Sequence, residues 1–214
     1  MSNIRERNRQ LILDAASEEF ARKGFAGATI GEIAQRVGLT KPKVFYYFLS
    51  KEDLYWQVLQ SVIEPSLAAS ALLCDSREPT ESLAAFIREK IRVSRDMPCA
   101  SKVFACEMLL GASRIPAHLR DALEAETQRH LALLQDWMHR GLIAPVEVSH
   151  LLLAISAATR THECFDLQMA GITGKDRPDD ADYESAIATA VRLVVGGAAA
   201  NMSGGAKGIA TADQ

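Results

Sequence analysis

Apolar residues recur every three or four positions through nearly the whole chain, and no stretch alternates apolar and polar residues as a half-buried strand does. That period commits the chain to helices packed on helices. Local punctuation divides it into about nine stretches. The first covers residues 4–23, with Leu11, Ile12, Ala15, Ala16 and Phe20 on one face and Gly24 just past its last turn. Thr29 stands three residues before Glu32, the spacing of a capping box, and opens a short helix through Arg36. Gly38 breaks it, Thr40 caps a third helix with Pro42 near its start, and Ser50 with Asp53 opens a fourth over residues 51–74. Further helices are expected over 80–96, 99–112, 116–140, 145–170 and 183–200, and the tail 201–214 has the small, Gly-rich composition of a flexible end.

Composition narrows the class. With 214 residues, 48% of them apolar and 24% charged, the chain is neither wholly disordered, nor a collagen, nor a small disulfide scaffold. No uncharged stretch reaches the roughly 20 apolar residues that a bilayer demands. The opening MSNIRERNRQ lacks the apolar centre of a secretory signal. Cys74, Cys99, Cys106 and Cys164 form no CxxC pair, Cys99 and Cys106 read as small core residues, and reduced thiols in a cytoplasmic protein are expected. The net charge of −3 is unevenly spread: residues 1–55 carry nine Lys/Arg against seven Asp/Glu, and the remainder 15 against 20. Phosphate attraction is local, within a Debye length of about 8–10 Å, so a slightly basic head on an acidic body is compatible with DNA binding by the head alone.

The sharpest signal is residues 29–48, TIGEIAQRVGLTKPKVFYYF. Ile30, Ile33 and Ala34 form an inward face, Val37 enters a turn, Gly38 supplies permissive backbone, Leu39 plugs the junction and Val44 packs back. This is the pattern of a helix-turn-helix. Its second helix presents Lys41, Lys43, Tyr46 and Tyr47 outward, where cations and hydroxyls can meet phosphates and base edges. A generic helical hairpin with a solvated basic end is the competing reading. The sequence continues as FLSKEDLYWQVL, and with Ala15, Phe20, Gly24, Thr29, Ile33, Ala34, Gly38, Phe48, Ser50, Lys51 and Leu54 at matching spacing it resembles the tetracycline-repressor (TetR) family of bacterial regulators. Phe45 and Leu49 depart from that family's frequent Tyr and Pro. The resemblance implies that Thr29 and Lys51 stand at helix N-termini against the DNA backbone. It implies too that Thr40, Lys41, Pro42 and Lys43 open the recognition helix, and that Tyr46 and Tyr47 reach phosphate or a thymine methyl.

The same resemblance implies an all-α fold: a helix-turn-helix domain over 1–50, a ligand-binding and dimerisation bundle over 51–200 joined to it by the helix 51–74, and a flexible tail over 201–214. The body, through VSRDMPCASKVFACEMLLG and GLIAPVEVSHLL, is similar to the subgroup of pyrimidine-utilisation regulators that sense uracil and thymine. Where those sensors carry a Trp and a Gln four residues apart, this chain has Ser156 and Arg160. In the family the last two helices of each subunit pair into the dimer interface. Here they offer Leu153 and Ala157, then Ile187, Ala190, Val191 and Val194, which ordinary monomer packing would suit equally. Arg160 either forms an internal ion pair with Glu163 or Glu107, or grips a carboxylate or carbonyl of a ligand bidentately. Phe104, Met108, Trp137 and Met138 are the apolar walls of such a chamber, or plain core.

Scattered histidines give no shared metal-ligand spacing, and no nucleophile motif or phosphate-cradling loop is present, so neither a metal, a cofactor nor catalysis is expected. The expected function is a ligand-responsive repressor that binds a palindromic operator as a homodimer and leaves it when a small polar or anionic metabolite binds. A helical enzyme, a ligand-independent architectural DNA binder, and a uracil- or thymine-like effector are the alternatives.

Overall fold

The computed structural model describes residues 2–160, 166–175 and 177–199, and among them the regular structure is ten helices and no strand. They are α1 (Ser2–Gly27), α2 (Ile30–Arg36), α3 (Lys41–Tyr47), α4 (Lys51–Ser70), α5 (Pro79–Asp96), α6 (Pro98–Leu109), α7 (Ala117–His139), α8 (Val148–Thr159), α9 (Asp166–Thr173) and α10 (Asp180–Ala199). Glu163, His162, Cys164 and the tail 201–214 lie outside the described residues.

Local signals set the head. Gly24 takes φ 68°, a backbone state costly for any side chain, and breaks the run of α1 before one more turn to Gly27. Thr29 Oγ1 accepts the Glu32 amide at 3.2 Å, and Ser50 Oγ accepts that of Asp53 at 3.0 Å while Asp53 accepts the Leu49 amide at 2.8 Å. Thr40 occupies the N-cap of α3, but its side chain makes no capping bond.

Two helices end elsewhere than periodicity places them. α4 stops at Ser70, not Cys74, because α7 takes its last carbonyls: Arg129 donates to Ser70 O at 2.9 Å and to Leu73 O at 2.7 Å. Within the expected helix over 145–170, α8 ends at Thr159 and α9 begins at Asp166. Glu147 caps the start by accepting the His150 amide at 2.9 Å, and the helix closes at Thr159, whose hydroxyl turns back to the Ser156 carbonyl at 3.3 Å.

Buried residues form two clusters. One joins α1–α4 to Val93 of α5 and to Ala100, Val103 and Phe104 of α6, so the head shares a core with the body. The other packs α5, α7, α8 and α10, and holds Leu134, Trp137, Leu152, Ile155, Ile187 and Ala190. Trp137 is therefore core rather than chamber wall, fully buried with Nε1 donating to Asp75 at 2.7 Å. Cys106 is exposed and Cys99 half-buried, so neither is the core residue that its apolar neighbours suggested.

Within the head, Glu19 of α1 is 1% exposed and meets Arg22 and Lys23 at 2.9 Å and Arg36 of α2 at 3.1 Å. Hydrogen bonds from Lys23, then Arg22, hold its carboxyl at about 2 against an ordinary 4.5. A depressed carboxyl contributes stability that is complete above the ordinary value and lost as pH falls through the folded one. Urea denaturation should therefore show the protein weakening between pH 4.5 and 2. Glu19→Gln should lower stability at neutral pH by about 1–2 kcal/mol, a figure reduced because the cations are partly solvated, and should flatten that acid limb.

Candidate functional site

α2 and α3 meet at a turn where Gly38 takes φ 67° and the Leu39 amide donates to the Ala34 carbonyl at 2.9 Å. Burying Ile30, Ile33, Ala34 and Val44 turns Thr40, Lys41, Pro42, Lys43 and Tyr46 outward. Lys43 Nζ stands 5.0 Å from the Tyr46 ring centre, and the Arg5 guanidinium of α1 reaches the same ring at 5.7 Å. Arg5 joins the face only because α1 packs beside α3, which no local pattern announces. The other three expected residues are more committed. Tyr47 is half-buried and its hydroxyl accepts from Asn8 at 3.2 Å; Lys51 lies 4.5 Å from the Phe25 ring centre; Thr29 spends its oxygen on the α2 cap. The exposed set offers positive charge and hydroxyls on one short helix, a face suited to phosphate and base edges.

In the body, α4–α8 enclose a cavity of about 440 Å³. Phe104, Met108, Ser156 and Arg160 line it, as the sequence suggested; Trp137 and Glu107 do not. Arg160 holds its guanidinium 5.9 Å from the Phe104 ring centre, and among the described residues no carboxylate lies within 4 Å of it. Among the lining residues that escaped sequence reasoning are Lys90 of α5, Ser101 of α6 and His130 of α7. Ser101 is 1% exposed and its hydroxyl has no hydrogen-bond partner among the described residues. His130 is buried, its Nε2 3.0 Å from the Ser70 carbonyl, and desolvation pushes its pKa below the ordinary value. These residues sit on helices distant in sequence, so their convergence is a tertiary fact.

Glu107 has another role from the one expected. It is 1% exposed and its carboxylate accepts the Tyr55 hydroxyl at 2.9 Å and the Arg114 amide at 2.8 Å, with the Arg114 guanidinium at 3.6 Å. Its carbonyl accepts the Ala112 amide at 2.8 Å, within a turn where Gly111 and Ala112 take φ 88° and 55°. Burial, then the bond to Glu107, raises the Tyr55 pKa. Tyr55 also meets Phe20 and Phe25 edge-on, each at 4.9 Å between ring centres, and the Arg114 guanidinium covers Phe25 at 4.5 Å. The carboxylate thus fastens α6, a cavity wall, to α4 and α1. Its oxygens are engaged by Tyr55 and Arg114 rather than by Arg160.

The outward side of α8 and α10 is apolar. Leu153 is 64% exposed and Leu193 69%, beside exposed Ala157 and half-buried Val191 and Val194. Ile187 and Ala190 instead point into the subunit's own core. Leu193 was missed because a period of 3.6 fits either side of an apolar helix.

Comparison with known proteins agrees with this architecture. Residues 12–58 match the family described as bacterial regulatory proteins, tetR family, and residues 59–201 match that of the YcdC-like protein, C-terminal region. The chain is 33% identical over 189 residues to the HTH-type transcriptional regulator RutR of Escherichia coli, covering 88% of this chain and 89% of the relative. Among the solved structures that share the fold are two regulators. The ketosteroid transcriptional regulator KstR2 of Mycobacterium tuberculosis does so with TM-score 0.73 at 16% identity, over 90% of this chain and 95% of its own. The regulator PfmR of Thermus thermophilus does so with TM-score 0.61 at 22% identity, over 87% and 97%. No helix among the described residues is long and apolar enough to cross a membrane.

Removing the Tyr55 hydroxyl leaves a buried carboxylate short of a donor. Tyr55→Phe should cost about 1–3 kcal/mol in urea denaturation, the range for a hydrogen bond to a charged group. A loss within a few tenths of a kcal/mol would mean that Glu107 is solvated there.

Proposed function

Because the chain belongs to the TetR family of bacterial transcriptional regulators, whose members bind operator DNA, dimerise and take small-molecule effectors, we propose that it is a cytoplasmic homodimeric repressor with its three tasks on three faces. Residues 1–50 form the reading head. Thr40, Lys41, Pro42, Lys43 and Tyr46 enter the major groove or meet its flanking phosphates, with Arg5 beside them; Thr29, Tyr47 and Lys51 orient the helices and contact the backbone. Residues 51–200 carry the dimer contact, centred on Leu153, Ala157, Val191, Leu193 and Val194, and the effector cavity lined by Phe104, Met108, Ser156 and Arg160. The observation that carries this reading is the cavity wall α6, tied through Glu107 and Tyr55 to the helices that hold the head.

Two recognition helices must lie about 34 Å apart to enter successive major grooves on one side of a duplex. An effector lodged against Phe104 and Met108 favours an α6 position that strains the Glu107–Tyr55 bond, and α4 with the head follows. The ligand shifts the population away from the DNA-competent spacing by as much as it prefers the other state, and no more.

Lys43→Ala should weaken binding to a palindromic duplex and reduce the slope of log affinity against log salt by about 1 per head, with helicity and dimerisation unchanged. An unchanged slope would remove Lys43 from the phosphate contacts. For the dimer, Leu193→Glu is the sharper test, since this side chain is exposed within the subunit and its loss does not disturb the core. Sedimentation should show monomers and the duplex affinity should collapse with them; a variant still dimeric at micromolar concentration places the interface elsewhere.

A further inference from the structure

Among the described residues, the cavity lining places a guanidinium with no carboxylate against it. Arg160, at the end of α8, holds its guanidinium 5.9 Å from the centre of the Phe104 ring, and no carboxylate among the described residues neutralises it. Glu107, the acid nearest Phe104 in sequence, is filled by Tyr55 and Arg114. Glu126, an acid in the lining, is taken by Arg129 at 2.7 Å. His130, also in the lining, has its pKa lowered by burial.

Beside the guanidinium is a second unmet group. Ser101 precedes Phe104 by three residues on α6, so both side chains stand on one face a helical turn apart. The Ser101 hydroxyl is buried, borders the cavity and has no hydrogen-bond partner among the described residues. A buried hydroxyl and a guanidinium that find neither partner nor counter-ion among the described residues both suit the same thing, an acceptor carrying negative charge. Around them the walls are Val62, Phe86, Leu123, Leu131 and Leu152. A volume of about 440 Å³ lies within the usual range for small organic ligands.

We propose that the effector is a small organic anion, a carboxylate on a ring-sized body, with its charged end held by Arg160 and Ser101 beside the Phe104 ring and its body against the apolar walls. This rests on reading the cavity as the effector site. A neutral pyrimidine supplies carbonyls and N–H groups to such a lining but leaves the guanidinium uncompensated, which sets this chain apart from a uracil sensor.

Matched probes separate charge from shape. Calorimetric titration of the full-length protein uses orotate against uracil, and phenylacetate against phenylacetamide, each pair differing chiefly in a carboxylate. The anion of at least one pair should bind about tenfold or more tightly than its neutral partner, and Arg160→Gln should remove most of that preference. Ser101→Ala should weaken the same anion by about tenfold or more, as loss of one hydrogen bond to a charged group does. Unchanged circular dichroism and operator affinity certify that both variants fold. The proposal is overturned if neutral probes bind as tightly as the anions, if no anion binds below about 1 mM, or if the preference survives Arg160→Gln. An anion that binds through Arg160 yet does not release operator DNA supports the assigned ligand class and contradicts the repressor-release mechanism instead, so the two failures are told apart.

Discussion

A single buried carboxylate holds this molecule together where its two halves meet. Both oxygens of Glu107 are engaged: Tyr55 from α4 donates to one and the Arg114 amide to the other, while the turn at Gly111 and Ala112 folds back to its carbonyl. A charge so deeply buried is tolerated only when its partners are fixed, because a lost donor leaves desolvation uncompensated. The positive φ at Ala112 fits that demand, being a conformation a side-chain-bearing residue adopts only when its surroundings insist. Geometry at this point is consequently all-or-none, and a displacement of α6 must break the set or carry α4 and α1 along.

Charge is managed differently in each region. In the head, Glu19 is surrounded by three cations and fastens α1 to α2, so the reading helix rides on a rigid pair. On the outer face of α3, by contrast, Lys43 and Arg5 rest on aromatic rings, with their charge left toward solvent and available to phosphate. The cavity follows a third rule, in which Ser101 and Arg160 stand among apolar walls with no partner for the hydroxyl and no carboxylate for the guanidinium among the described residues. Stability is spent there on readiness to bind, and the shared core of α1–α4 and α6 makes that site mechanically close to the head.

How much of this could be read from the sequence follows the range of the interaction concerned. Caps and turn glycines act over three or four residues, so Thr29, Ser50, Gly24 and Gly38 announced the head correctly, and its TetR likeness followed. Helix ends set by distant partners were misplaced: Arg129 and His130 close α4 from across the bundle. Periodicity identified apolar helices but not which neighbour each side meets, so Ile187 and Ala190, expected on an outer face, are buried in the subunit's own core while Leu193 is exposed. Arg160 stood out as a cation in an apolar helix, whereas Ser101, an ordinary helix serine, became informative only once its hydroxyl was found buried and unpaired.

The central claim is that occupancy of the cavity reaches the head through Glu107. Operator affinity measured with and without a saturating amount of whichever probe anion the cavity binds, in wild type and in Glu107→Gln, tests it directly. Wild type should lose operator affinity by a factor within the usual range of about 5–150 for allosteric coupling. In Glu107→Gln that factor should shrink toward one while the variant still binds each ligand alone. The same coupling factor in both proteins would contradict the account.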